Sequence, residues 1–339
     1  MNHRQHRPTI KEVAIRAGVS PMTVSRTLSG GVNVKLDVQQ RVLEAVAELG
    51  YHRNENARSI RPGHSSGLIG VAITNIANPY YSTFALGVEE EAALSGRRIL
   101  LGNTGEDAAR EAELVGDFLG RRVDGLIVVP ADDAFAHLAN SQSQGVPVVL
   151  ASRRIHGLDA DSVVLDDEDG AYRGTIALLD GGHTRIGYLG NRESIFTGRR
   201  RHAGFVKALH ERGIEPDPEL VALGQQTVEQ ASDATRALLA NPTPPTAIFC
   251  ANNRNAIGAL KEINVQLHTG RPASEFPELM SFDDFELAEL SPVPLSVIDH
   301  DPRALGRTAA RLLLDRLEAV GEVPSREIEL PVTLRKRVR

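Results

Sequence analysis

The chain is poor in the residues that carry covalent or metal chemistry. One cysteine, Cys250, stands among 339 residues, so neither an intrachain disulfide nor a cysteine-built metal cage can form. Tryptophan is absent and aromatics are 4% of the chain. No apolar run approaches about 18 residues, so nothing reads as a membrane-spanning helix. The opening MNHRQHRPTI has charges but no apolar core segment, which sets the expectation of a cytoplasmic protein. There is no G-x-x-x-x-G-K-[ST], no G-x-G-x-x-G and no H-E-x-x-H. Nucleotide hydrolysis, dinucleotide redox and zinc proteolysis thus have no anchor, and no cofactor or metal is expected. Gly63-His64-Ser65-Ser66-Gly67 spells a hydrolase nucleophile elbow, but no strand precedes it and no helix follows. Asp166-Asp167 and Asp283-Asp284 are adjacent pairs, which on a strand point to opposite faces. His3 and His6 lie in a tail, and Asp299-His300-Asp301 is too short a cluster to argue a metal. No catalytic residue is assigned, and an enzyme is not expected.

What the chain does have is an uneven charge. The net is −6, yet residues 1–66 hold ten Lys/Arg against five Asp/Glu, or +5. The remainder holds 28 against 39, or −11. A small basic head on an acidic body suits phosphate attraction confined to one end. The length is too great for one core and predicts two or three units.

The head reads as three short helices. Thr9 caps the first, with Glu12 three residues on in a capping box. Ile10, Val13, Ala14 and Ala17 form one apolar stripe, and Gly18 ends it. Ser20 caps the second helix and Pro21 takes its first position. Val24 and Leu28 face inward, while Met22, Ser25, Arg26 and Ser29 face outward. The third runs from about Asp37 to Leu49, with Val38, Val42, Val46 and Leu49 inward and Gly50 as C-cap. Two helices joined by a tight turn and braced by a third make a helix-turn-helix. The outward face of the second helix is small, polar and cationic and can enter a major groove. Arg26 can bond a guanine O6/N7 edge, and Pro21 and Met22 offer apolar contact to a thymine methyl.

TIKEVAIRAGVSPMTVSRTLSG, followed by RVLEAVAELGYHRNENARSIR, closely resembles the head of the LacI/GalR repressor family, and the resemblance extends to the C-terminus. It implies DNA contacts from Thr9, Ser20, Pro21, Met22, Thr23, Ser25 and Arg26. It also implies a hinge that folds on DNA and wedges a side chain into the minor groove. Asn54, Ala57, Arg58 and Ile60 match that hinge, Ile60 in the wedge position. Eight residues are too few for a helix stable alone in water, so folding can be coupled to binding. Three positions depart from the family: Arg53 for a usual Pro, Lys35 for a capping Ser, Ile60 for Leu.

Beyond residue 66, short apolar runs alternate with helical stretches. Strands are expected at 67–73, 98–103, 125–130, 146–152, 162–167, 185–190, 247–252, 279–284 and 295–300, the rhythm of βαβ units. The expected fold class is α/β: a small all-α helix-turn-helix head (1–52), a hinge and linker (53–66), and a bilobed core (67–339) of two doubly wound parallel-sheet subdomains. The resemblance implies a periplasmic-binding-protein-like core. One lobe is expected at about 67–163 plus 296–322, the other at about 164–295 plus 323–339. Ligand then sits at the carboxyl ends of the strands. Tyr80, Tyr81, Ser152, Thr197, Arg201, Asn252, Asp283 and His300 are the candidate ligand residues, on family positions near the cleft. The stretch 264–279 reads as a long loop.

The reading is a dimeric DNA-binding regulator, a repressor, controlled by a small molecule such as a sugar. Partners are an inverted-repeat operator, the effector and a second copy; no leucine heptad ends the chain, so a dimer is expected. The alternative is a DNA-binding regulator whose cleft no longer binds a ligand.

Overall fold

The computed structural model describes residues 8–28, 30, 33–51, 65–286, 288–321 and 323–336. The chain divides into two compact units, 1–66 and 67–339, each described by itself. Of the expected hinge residues, Asn54, Ala57, Arg58 and Ile60 lie outside the described residues.

Among the described residues, the first unit holds three helices: α1 (Ile10–Ala17), α2 (Pro21–Leu28) and α3 (Leu36–Leu49). Thr9 and Glu12 form the expected capping box, and Gly18 closes α1 in a left-handed conformation. Lys35 begins α3 without a side-chain cap, as its departure from Ser implies. Val13, Ala14, Ala17, Val24, Val42 and Ala45 are the buried core, with Val46 and Leu49 at its margin. Arg41 reaches the carbonyl of Ala17 at 3.3 Å. That places a cation on the electronegative end of α1, where the helix dipole favours it.

The second unit holds two six-stranded sheets. The first uses β1 (Leu68–Ile73), β2 (Arg98–Asn103), β3 (Gly125–Val128), β4 (Val148–Ala151), β5 (Asp161–Leu165) and β11 (Glu327–Leu330), in the order β11-β5-β4-β3-β1-β2. The second uses β6 (Ile186–Leu189), β7 (Val221–Ala222), β8 (Ala247–Cys250), β9 (Glu278–Phe282), β10 (Leu295–Asp299) and β12 (Thr333–Arg335), in the order β12-β10-β9-β8-β6-β7. Every pairing is parallel except β10 with β12. The inner strands are buried on both faces, which is why they read as continuous apolar runs. The helices are α4 (Pro79–Leu94), α5 (Ala108–Gly120), α6 (Ala136–Ser143), α7 (Asp167–Asp180), α8 (Phe196–Glu211), α9 (Val228–Leu239), α10 (Asn253–His268) and α11 (Pro302–Glu318).

Two sequence boundaries are corrected. The strand at 295–299 pairs with β9 in the second sheet, so the return to the first lobe starts later, with α11 packed on α4 and on β3, β4 and β5. The tail does not belong wholly to the second lobe, because β11 pairs with β5 in the first sheet before β12 returns to the second. The chain thus passes between the sheets near 166, 300 and 331. The expected loop at 264–279 is mostly ordered: α10 runs to His268, a short 3-10 turn spans Ala273–Glu275, and β9 starts at Glu278.

The α4–α11 contact depends on two glycines. A Cβ at Gly87 would stand 2.1 Å from the Arg303 carbonyl oxygen, and one at Gly306 would stand 2.1 Å from that of Phe84. Both neighbours are backbone, so the helices must separate to admit a methyl. Gly87→Ala is expected to lower stability by about 1–3 kcal/mol. Gly116→Ala, on exposed helix surface with nothing within 4 Å, should raise it by about 0.5–1 kcal/mol. Urea unfolding midpoints moving the same way in both variants would refute the close-packing account.

Candidate functional site

The carboxyl ends of the strands converge on a cavity of about 340 Å³ between the two sheets. Tyr80, Tyr81, Ser152, Thr197, Arg201, Asn252 and Asp283 all line it, as the sequence reading expected. His300 does not. Its ring stands behind the wall, Nε2 3.2 Å from Asp283 Oδ1, with its centroid 5.4 Å from that of Tyr80. It bonds one lining residue and packs on another instead of facing the cavity.

Each lining group is placed by its element. Asn78 caps α4 by accepting from the Tyr80 amide at 3.2 Å, which turns the first helical residues toward the cavity. Asn252 caps α10 in the same way, accepting from Asn255 at 2.9 Å. Five described residues other than glycine have positive φ, and Glu106, Ser152 and Asp283 are three of them. All three line the cavity. Left-handed backbone is costly for such side chains and collects at functional sites.

The charged groups are mostly paired. Arg201 is buried; its Nε donates to Asp167 Oδ1 at 2.7 Å and its Nη1 to the Ala251 carbonyl at 2.7 Å. Asp283 Oδ2 lies 3.6 Å from Nη1, and the guanidinium sits 3.6 Å over the Phe282 ring. Burial pushes the Asp283 carboxyl up, but the Arg201 charge and the His300 hydrogen bond outweigh it and hold the group below the usual aspartate value. Burial pushes the Asp167 carboxyl up against the pull of Arg201. Arg153 donates to Glu106 at 2.6 Å and to the Pro130 carbonyl at 2.7 Å. Despite burial, this pairing leaves Glu106 below its usual value. Burial, aided by the Asp283 charge, raises the Tyr80 phenol well above its normal range. It therefore stays protonated, and its oxygen lies 2.9 Å from Ser152 Oγ.

Sequence reasoning missed the amides. Asn103, Asn191, Gln225, Gln226 and Asn253 line the cavity with Glu106, Arg153 and Arg254. Many stand at or just after a strand end, and that position was the available signal. Asn253 and Asn78 form a reciprocal buried amide pair at 2.8 and 3.3 Å, linking residues that follow β8 and β1. An amide offers both donor and acceptor, so the wall can match hydroxyls of either polarity.

In the first unit, Thr9 spends its hydroxyl on Glu12, as donor at 2.9 Å to the carboxylate and as acceptor at 3.4 Å from the amide. Ser20 accepts from the Thr23 amide at 3.1 Å and meets the Thr23 hydroxyl at 2.9 Å, capping α2. Pro21, Met22 and Arg26 are exposed, Ser25 half-buried. Arg26 has no ion pair or hydrogen bond among the described residues.

Residues 66–337 match the family described as periplasmic binding proteins and sugar binding domain of LacI family. Residues 9–54 match bacterial regulatory proteins, lacI family. The chain belongs to the LacI family of bacterial regulatory proteins. It is a DNA-binding transcription regulator with a ligand-controlled core of the sugar-binding type. It is 31% identical to the HTH-type transcriptional repressor CytR of Escherichia coli (strain K12) over 91% of this chain and 90% of that one. It is 30% identical to the ribose operon repressor of Haemophilus influenzae (strain ATCC 51907 / DSM 11121 / KW20 / Rd), covering 93% of each. The crystal structure of the Lac repressor dimer bound to operator and the anti-inducer ONPF superposes with a TM-score of 0.84 at 28% identity, covering 98% of each chain. These relatives are named as repressors, not enzymes. Among the described residues, no helix is long and apolar enough to cross a membrane.

Removing the central cation gives a signed test. In Arg201→Gln, Asp167 and Asp283 remain buried without the guanidinium, Asp283 keeping only its His300 bond, at an expected cost of about 3–5 kcal/mol. Both carboxyls should then titrate above the ordinary 3.8. Their stability is full below that value and is lost as pH rises. In the wild type, Asp283 titrates low, so its contribution is present above 3.8 and lost on acidification. Melting temperature from about pH 4 to 7 should therefore fall in the variant relative to the wild type. Parallel profiles would show that Arg201 does not hold these carboxylates ionised.

Proposed function

We propose that this chain acts in the cytoplasm, without catalytic activity, as a homodimer on an inverted-repeat operator, and that a polar, sugar-like solute in the cavity sets its operator affinity. One head reads each half-site through α2, with Arg26 on a guanine and Pro21 and Met22 against apolar base edges. Ser20 and Thr23 orient the start of α2, and Thr9 that of α1. Asn54, Ala57, Arg58 and Ile60 complete the contact at the centre of the site. Tyr80, Tyr81, Ser152, Thr197, Arg201, Asn252 and Asp283 contact the effector, with His300 bracing Asp283 and Tyr80.

The observation that carries the reading is the cavity. It is lined by amides, paired charges and two tyrosines, a wall suited to a hydroxyl-rich solute. The dimer rests on likeness to a repressor that is a dimer on its operator. Coupling must be reciprocal: a solute that weakens operator binding is itself held more weakly on DNA.

Selection of operator from random duplexes with the whole protein tests the proposal. An inverted repeat should be enriched. Arg26→Ala should cost about 1–3 kcal/mol on the selected site and relax one base position in each half. Binding without enrichment, steep only in salt, would reduce the head to a phosphate tether.

A further inference from the structure

One guanidinium of the cavity wall stands without a carboxylate. Three arginines and two carboxylates line it: Arg153, Arg201 and Arg254 against Glu106 and Asp283. Arg153 is paired with Glu106 at 2.6 Å, and Arg201 with Asp167 behind the wall at 2.7 Å and with Asp283 at 3.6 Å. Arg254 has no hydrogen bond or ion pair among the described residues, and its Nε is shielded from solvent without a partner. Its charge acts on Glu229, which is exposed and already 3.5 Å from Lys261.

The place of Arg254 on its helix adds to this. It is the second residue of α10, whose first turn carries no acid. A cation there has the wrong sign for the helix dipole, which favours anions at that end. The first turns of α4 and α8, which also border the cavity, lack acids too. A half-buried arginine left unpaired at such a helix end is open to an anion.

We infer that the effector is an anionic polyol, a phosphorylated or carboxylated sugar, whose charged group is bound by Arg254 while the amides hold its hydroxyls. This rests on the sugar-like reading of the cavity and narrows it. A planar guanidinium suits both anions, through two parallel hydrogen bonds.

Calorimetric titration of the full chain with matched pairs tests it: ribose with ribose 5-phosphate, glucose with glucose 6-phosphate, galactose with galacturonate. In at least one pair the anionic member should bind about tenfold or more tighter, as expected for a charge-assisted contact. Arg254→Gln should bring that ratio close to one, and Arg254→Lys, which keeps the charge, should hold most of it. Neutral sugars binding as tightly as their anionic partners in every pair, or a ratio that survives Arg254→Gln, overturn this inference and leave the sugar-like reading in place. Absence of binding by every member of the panel overturns both.

Discussion

The second unit depends on the buried guanidinium of Arg201. It ties four pieces of chain that share no local sequence: its own helix α8, the first residue of α7, the end of β8 through the Ala251 carbonyl, and the end of β9 through Asp283. Asp167 stands just past one of the three passages between the sheets, and His300, bonded to Asp283, stands at another. The Tyr80 ring then packs on His300, in the first lobe's helix α4. One cation therefore fixes the cavity floor and, through Asp283 and His300, touches the wall opposite. Arginine suits this place because its planar fork meets several acceptors at once and stays charged when buried. The arrangement is costly to assemble and more costly to break singly, since each remaining carboxylate would be left without its partner.

Much of this was legible in the sequence because its signals were local. The Thr9–Glu12 capping box, Gly18 and Gly50 as left-handed helix ends, and the apolar β1, β3, β4, β6 and β8 are written in spans of four to eight residues. Seven of the eight candidate effector residues line the cavity: Ser152, Asn252 and Asp283 just past strand ends, and Tyr80, Tyr81, Thr197 and Arg201 on the helices that follow strands. What failed was long-range. Pairing of β11 with β5 joins residues about 165 apart, and its half-exposed EIEL has none of the continuous apolar character of the inner strands. The strand at 295–299 looks like any buried strand, and only its partner β9 tells which sheet it enters. The amide wall was missed for another reason: Asn and Gln after a strand are ordinary loop residues until several converge.

Convergence also leaves so polar a cavity rigid. Its side chains are held before any solute arrives. Ser152 is fixed by Tyr80, Glu106 by Arg153, and Asn78 and Asn253 by each other. Glu106, Ser152 and Asp283 are presented from left-handed backbone that the surrounding strands enforce. Donors and acceptors fixed in this way cannot swing to satisfy a poor match. An analogue lacking one hydroxyl leaves a buried group without its partner, which costs far more than the lost contact alone. An apolar pocket of the same volume would tolerate such changes, since a missing methylene costs only about 1–3 kcal/mol. The strained backbone at those three residues is the structural cost of holding these donors and acceptors in place.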